Sequence, residues 1–138
     1  MNNPLHSFII TGPTAKMHYF IRQPDFPLLG NIDGQVIGVC DEEELITRLS
    51  QLTLDMTPTK HYDFIDVAGT NYAFYPDTMM ITPLTSQQRR WSKLALIRMV
   101  NSRTNTIPGE KLYTESSFGA KRFEGVFREL IEHCRKGA

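Results

Sequence analysis

Between Lys60 and Pro83 the chain reads KHYDFIDVAGTNYAFYPDTMMITP. Its mixture of Tyr, Phe, Val and Ile is what a half-buried antiparallel surface selects. Two strand-like runs meet near Gly69-Thr70, and Pro76-Asp77 punctuates the chain before a third. Upstream, QVIGVC reads as a strand that runs directly into DEEELITRLSQLTL, where Asp41 can cap a helix and Glu44 stands three residues on, at capping-box spacing. Leu45, Ile46, Leu49 and Leu52 then share one helical face.

Further toward the N-terminus, LHSFIITG and KMHYFIRQ are apolar runs around a Gly-Pro break, which predicts a hairpin. The segment PDFPLLGNIDG, with two prolines, two glycines and Asp33-Gly34, predicts a loop. In it, Phe26, Leu28 and Leu29 either tuck under as an anchor or form a contact patch.

Downstream, LTSQQRRWSKLALIRMVNSR predicts a helix capped by Thr85 or Ser86. In the last helix Phe123, Val126, Phe127, Leu130, Ile131 and Cys134 make a continuous apolar stripe. Hairpins dominate and strands do not alternate with helices. The expected fold is therefore α+β, with an antiparallel or mixed sheet of about five strands and about three helices on one face. The two C-terminal helices are expected to pack together on that sheet, in a single domain spanning residues 1–138.

At 138 residues the chain can bury a core without metal or disulfide, and its 41% hydrophobic and 22% charged content is ordinary for a globular domain. Its longest apolar runs fall far short of the ~20 residues of a membrane span, so no membrane partner is expected. Met1 to Ile10 lacks the basic start and long apolar core of a secretory signal, which makes the cytoplasm the expected compartment. Cys40 and Cys134 have no zinc-type spacing to the histidines, and no cofactor or metal is implied.

The formal net charge is zero, yet the charges are unevenly distributed. From Met1 to Pro83 there are 4 basic and 10 acidic residues, a net of −6; from Leu84 to Ala138 there are 11 and 5, a net of +6. Such asymmetry directs attention to charged partners. One reading uses the acidic block: Asp41, Glu42, Glu43, Glu44, Asp63, Asp66 and Asp77 would bind another protein, such as a basic toxin or nuclease, as an immunity or inhibitor protein of bacterial type does. The alternative uses the basic block, with Arg89, Arg90, Lys93, Lys121 and Arg122 contacting nucleic-acid phosphates and Trp91 or Tyr113 available for stacking. Arg98, Arg103, Arg128 and Arg135 belong to the same block.

WSKLALIRMVNSRTNTIPGEKL, from Trp91 to Leu112, resembles the entry to the winged helix of GntR-type bacterial regulators, in which a helix is followed by a Pro-Gly-x-x-Leu turn. That resemblance implies a recognition helix and a wing downstream. YTESSFGAKRFEGVFREL is shorter than this arrangement requires, and Phe123 and Phe127 demand burial, so the residues themselves predict a helix pair closing a core.

For catalysis, Cys40 stands at a strand end before a helix start, where a thiolate is favoured, but Asp41 to Glu44 oppose that charge. His61 and Asp63 fall on one side of a strand, as a side-by-side polar pair. Neither arrangement supplies a catalytic constellation, and the chain is expected to be a binding protein, not an enzyme.

Overall fold

The computed structural model describes residues 16–84, 90–106, 113–114 and 121–135. Among them are six strands, β1 (His18–Tyr19), β2 (Leu28–Ile32), β3 (Gln35–Val39), β4 (Tyr62–Asp66), β5 (Asn71–Tyr75) and β6 (Met80–Pro83). Three helices accompany them, α1 (Glu42–Ser50), α2 (Lys93–Asn101) and α3 (Phe123–Arg135). The strands form one sheet in the order β1-β6-β5-β4-β2-β3, parallel between β1 and β6 and antiparallel elsewhere. The fold is α+β with a mixed sheet, one strand larger than the runs of apolar residues predict.

The extra strand is β2, which corrects the expectation of a loop. Asp33 and Gly34 take φ of 52° and 95°, the left-handed pair of a two-residue hairpin turn, and Asn31 Oδ1 accepts from Gly34 N at 2.9 Å. Ile32 therefore pairs with Gln35 and Leu28 with Val39. Leu28 and Leu29 are both fully buried, on opposite faces of the sheet, because β2 lies between β3 and β4. Of the two alternatives for these residues, they are tucked into the core and do not form a contact patch. Gly30 pairs with Phe64, whose ring occupies the space a Cβ would need. The glycine that suggested a break is thus the site of a close cross-strand approach.

The expected N-terminal hairpin is described only in its second half. Its first half lies outside the described residues, and His18–Tyr19 pairs with Met80 and Ile81 of β6. The connection from Phe20 to Pro27 then carries the chain past the ends of β5 and β4, with Arg22 over the Tyr72 ring and Val67 N donating to Asp25 O at 3.2 Å.

Strand alternation divides the core in two. Leu28, Ile37, Val39, Phe64, Tyr72, Phe74 and Ile81 face one way and meet Leu45 and Leu49 of α1. Leu29, Val36 and Ile65 face the other way and meet Leu96, Ile97 and Val100 of α2 and the stripe of α3. Helices therefore cover both faces of the sheet, not one. The sheet can support this because its central strands carry apolar residues at consecutive positions: Phe64 and Ile65, like Leu28 and Leu29, have no exposed surface.

Helix starts follow capping chemistry. Asp41 caps α1, its Oδ1 accepting from Glu44 N at 2.8 Å. The cap of α2 is Ser92, which accepts from Ala95 N at 3.1 Å, while Trp91 N is engaged with Gly69 O. The helix accordingly starts at Lys93, well after the proposed Thr85 and Ser86, which lie outside the described residues.

Side chains engage the outer side of β3 at two places. Asn105 Oδ1 accepts from Val36 N at 2.9 Å and its Nδ2 donates to Val36 O at 3.0 Å, so one carboxamide engages both polar groups of that peptide position. Cys40 N, just past the strand, donates to Glu44 Oε1 at 3.1 Å.

At Gly38 an added Cβ would lie 2.6 Å from the backbone oxygen of Ile131, where α3 crosses β3. Backbone cannot rotate away, so Gly38→Ala is expected to destabilise the protein by about 1–3 kcal/mol in urea unfolding. Gly125, also in α3, has nothing within 4 Å of its own added Cβ. Gly125→Ala should therefore stabilise by roughly 0.5–1 kcal/mol through helix propensity alone.

Candidate binding surfaces

The acidic residues that open α1 are largely engaged within the molecule. Asp41 holds the helix cap. Glu42 accepts the Tyr19 hydroxyl at 2.6 Å, and burial together with this carboxylate pushes the Tyr19 phenol well above its usual range. Glu44 receives the fork of Arg135, Nε and Nη2 each at 2.8 Å, as well as Cys40 N. This two-point contact ties the acidic block to the basic one. Glu43 is exposed.

The other acidic candidates do not join them. Asp63 is exposed and pairs in register with Asn31, toward the Asp33-Gly34 turn. Asp77 lies in the β5–β6 connection, beyond the same end of β4, whereas α1 begins beyond the Leu28–Val39 pair at the other end. At 3.4 Å per residue these positions are more than about 10 Å apart along the sheet.

Asp66 is fully buried, which removes it from any contact surface. Its oxygens accept from Asp25 N at 3.1 Å, Ala68 N at 3.1 Å and Thr70 N at 3.0 Å, and Arg22 approaches to 3.9 Å. It is the organiser of the β4–β5 turn. Its flanking apolar residues do not distinguish it from Asp63; the one clue in the order of residues is the turn signal at Gly69, three positions on.

Several basic residues are brought to one place. Gly69 O accepts from Trp91 N at 3.0 Å, which puts the start of α2 at the β4–β5 turn. Phe123, the first residue of α3, packs over the same glycine, as does the Cβ of Arg90. Lys93 Nζ donates to Lys121 O at 2.8 Å, joining the two helix starts. Arg90, Lys93, Lys121 and Arg122 thus lie at the two helix starts that meet beside Gly69; Arg89 lies outside the described residues. Both helices direct N-terminal peptide dipoles toward this cluster. The first turn of α2 contains no acidic residue, and Glu124 in that of α3 is paired with Arg128 at 3.0 Å. Arg90 and Arg122 are exposed, and Lys121 also meets Glu129 at 2.9 Å.

Not every cation of the block shares in this. Arg103 is only 5% exposed, with Nη1 donating to Val100 O at 2.8 Å, so it offers nothing to a phosphate. Arg135 faces Glu44 and Glu132, and Arg128 faces Glu124. Trp91 is half-buried, its Nε1 on Asn71 Oδ1 at 3.2 Å, and Tyr113 lies edge-on to His133, with ring centroids 5.1 Å apart.

The groups considered for catalysis are separated. His61 Nε2 stands 3.8 Å from Asp63 Oδ1, both side chains exposed, as the side-by-side pair expected from the strand pattern. Cys40 is at the opposite end of the sheet, after Val39. Burial raises the Cys40 thiol, Arg135 opposes this, and Glu44, Glu132 and Asp41 reinforce it. A hollow of about 290 Å³ between the β2–β3 turn and the end of α1 is lined by Ile32, Asp33, Gln35, Gln51, Leu52 and Thr53. Its one ionisable side chain, Asp33, is approached by Lys60 and the Tyr62 hydroxyl, each at 3.4 Å. Among the described residues there is no group of three or more His, Cys, Asp or Glu arranged to hold a metal, and no helix is long and apolar enough to cross a membrane.

Iodoacetamide alkylation of Cys40, read by mass spectrometry across pH, is expected to reach half its limiting rate above the ~8.5 of an ordinary thiol. Rapid modification at neutral pH would contradict the assignment of a neutral, structural thiol. The chain matches no protein-family model, no curated protein and no solved structure, so its function has to be read from these surfaces.

Proposed function

We propose that the chain is a small cytoplasmic macromolecule-binding protein without catalytic activity, and that its ligand is a nucleic acid held at the basic end around Gly69. The gathering of Arg90, Lys93, Lys121 and Arg122 at two helix starts beside one turn carries this reading. Phosphate binding requires positive charges close enough together to displace counterions jointly, and helix starts add backbone N–H dipoles of the same sign. A polyanion is the partner that such a surface suits.

An immunity or inhibitor protein with an acidic face has less support. Of its seven candidate residues, Asp66 is buried, Asp41, Glu42 and Glu44 are committed to internal contacts, and Asp63 and Asp77 lie toward the other end of the sheet. A protein partner would meet isolated carboxylates, and long-range steering gains little from scattered charges. For catalysis, the Cys40 thiol is disfavoured as a thiolate, and His61 is not near it.

Fluorescence anisotropy with labelled oligonucleotides tests the reading. Wild-type protein is expected to bind at about 50 mM salt and to lose at least tenfold in affinity by about 200 mM. The double reversal Arg90→Glu with Arg122→Glu, both at exposed positions, should weaken binding tenfold or more and flatten the salt dependence, while thermal unfolding stays unchanged. Reversing Glu43 to Lys should not weaken it. Absence of binding at low salt, or indifference to the double reversal, would overturn the reading.

A further inference from the structure

Among the described residues, Phe20 and Ile21 are the large apolar side chains that stand in water, 59% and 68% exposed. Their position is fixed from both sides. Phe20 N donates to Ile81 O at 2.9 Å, prolonging the pairing of β1 with β6. The chain then reverses within three residues: Arg22 N donates to Phe20 O at 2.9 Å, and Ile21 is held at φ 73°. A β-branched residue rarely enters the left-handed region, because its Cβ crowds the neighbouring carbonyl. Past the turn, Arg22 is 5.8 Å above the Tyr72 ring and 3.9 Å from Asp66. Burial, then Asp66, push the Tyr72 hydroxyl up to about 12, so it stays neutral beneath the arginine at ordinary pH.

This tip stands at the same end of the sheet as the basic cluster. Pairing in β1–β6 and β6–β5 leads from Tyr19 through Ile81 to Pro83 and Tyr72, next to the β4–β5 turn. At about 4.8 Å per strand, the tip is roughly 12 Å from Gly69 across the sheet. Arg22, half-exposed, lies between them, and Asp25 is the exposed carboxylate on that connection.

The geometry points to one strip for a single-stranded nucleic acid, in which Arg22, Arg90 and Arg122 meet successive phosphates and an unpaired base stacks on Phe20. The inference rests on the nucleic-acid reading of the preceding subsection and narrows it. A duplex presents phosphates at its surface but keeps its bases stacked on one another, and it would leave the apolar tip in water. An unpaired base offers a free π-face, and an aromatic ring beside cations is the platform on which such bases rest. The rigid turn lowers the ordering cost, since the ring is already held out before the ligand arrives.

The test compares three labelled probes of equal length: oligothymidylate, a duplex, and an abasic sugar-phosphate oligomer that retains the phosphates without bases. Wild-type protein is expected to bind oligothymidylate at least fivefold more tightly than either of the others. Phe20→Ala should weaken oligothymidylate binding about fivefold or more without changing its salt dependence, and Phe20→Trp should preserve it. Equal binding of the abasic oligomer, or an unaltered Phe20→Ala protein, would overturn the stacking role while leaving the basic surface as a nucleic-acid site. Phe20-dependent retention on anionic lipid vesicles, without a preference for the single strand, would assign the tip to a membrane surface and overturn it also. If wild-type protein binds none of the three oligomers at low salt, the nucleic-acid reading itself falls and takes this inference with it.

Discussion

A carboxylate without solvent contact can remain in a protein interior only if donors replace the water it has lost, and Asp66 obtains three backbone N–H groups and a nearby guanidinium. Each donor belongs to a segment that would otherwise wander. Ala68 and Thr70 are fixed as the β4–β5 turn, Asp25 is drawn to the strand end, and Arg22 is anchored on the crossover from β1 to β2. The turn then serves as a platform: its Gly69 carbonyl receives Trp91, and the open space above that glycine accommodates Phe123. Two helices begin where they do because one side chain organises the loop beneath them.

Much of this architecture could be read from residue order. The stripe of α3 was legible because a helix that buries a single face repeats apolar residues at regular offsets, and Val126, Phe127, Leu130, Ile131 and Cys134 are all buried. The strands of the 60–83 region and the Asp41 cap were legible for the same kind of reason, as local chemistry expressed in adjacent residues. The strand Leu28–Ile32 was not. Its prolines and glycines resemble a loop until Asp33-Gly34 is recognised as a hairpin turn and Gly30 as the space for the Phe64 ring, which is a contact with a residue 34 positions away. The start of α2 was misplaced because Ser92 competes with Thr85 and Ser86 on equal local terms, and only the tertiary bond of Trp91 to Gly69 distinguishes them.

The surfaces were less legible than the fold. Net charge by sequence half correctly indicates that basic residues collect in the C-terminal part, yet it cannot tell Arg103, buried under α2, from Arg90, exposed beside Gly69. Equally, it gave Asp66 and Asp63 the same weight, although one is interior and the other exposed. A charge count adds residues up, whereas a binding surface depends on which of them emerge side by side. The crossing of Arg135 to Glu44 shows the same limit, since the two blocks meet across α3 and α1 instead of remaining apart.

The Asn105 carboxamide has a consequence for how this molecule meets others of its kind. An outermost strand with open peptide groups is a template on which further strands can polymerise, and crowded cells penalise it. Here the side of β3 that would receive a newcomer is already filled at Val36 by Asn105 and beyond Val39 by Glu44. Main-chain zippering is obstructed at those two positions, which favours recognition by side chains along that border.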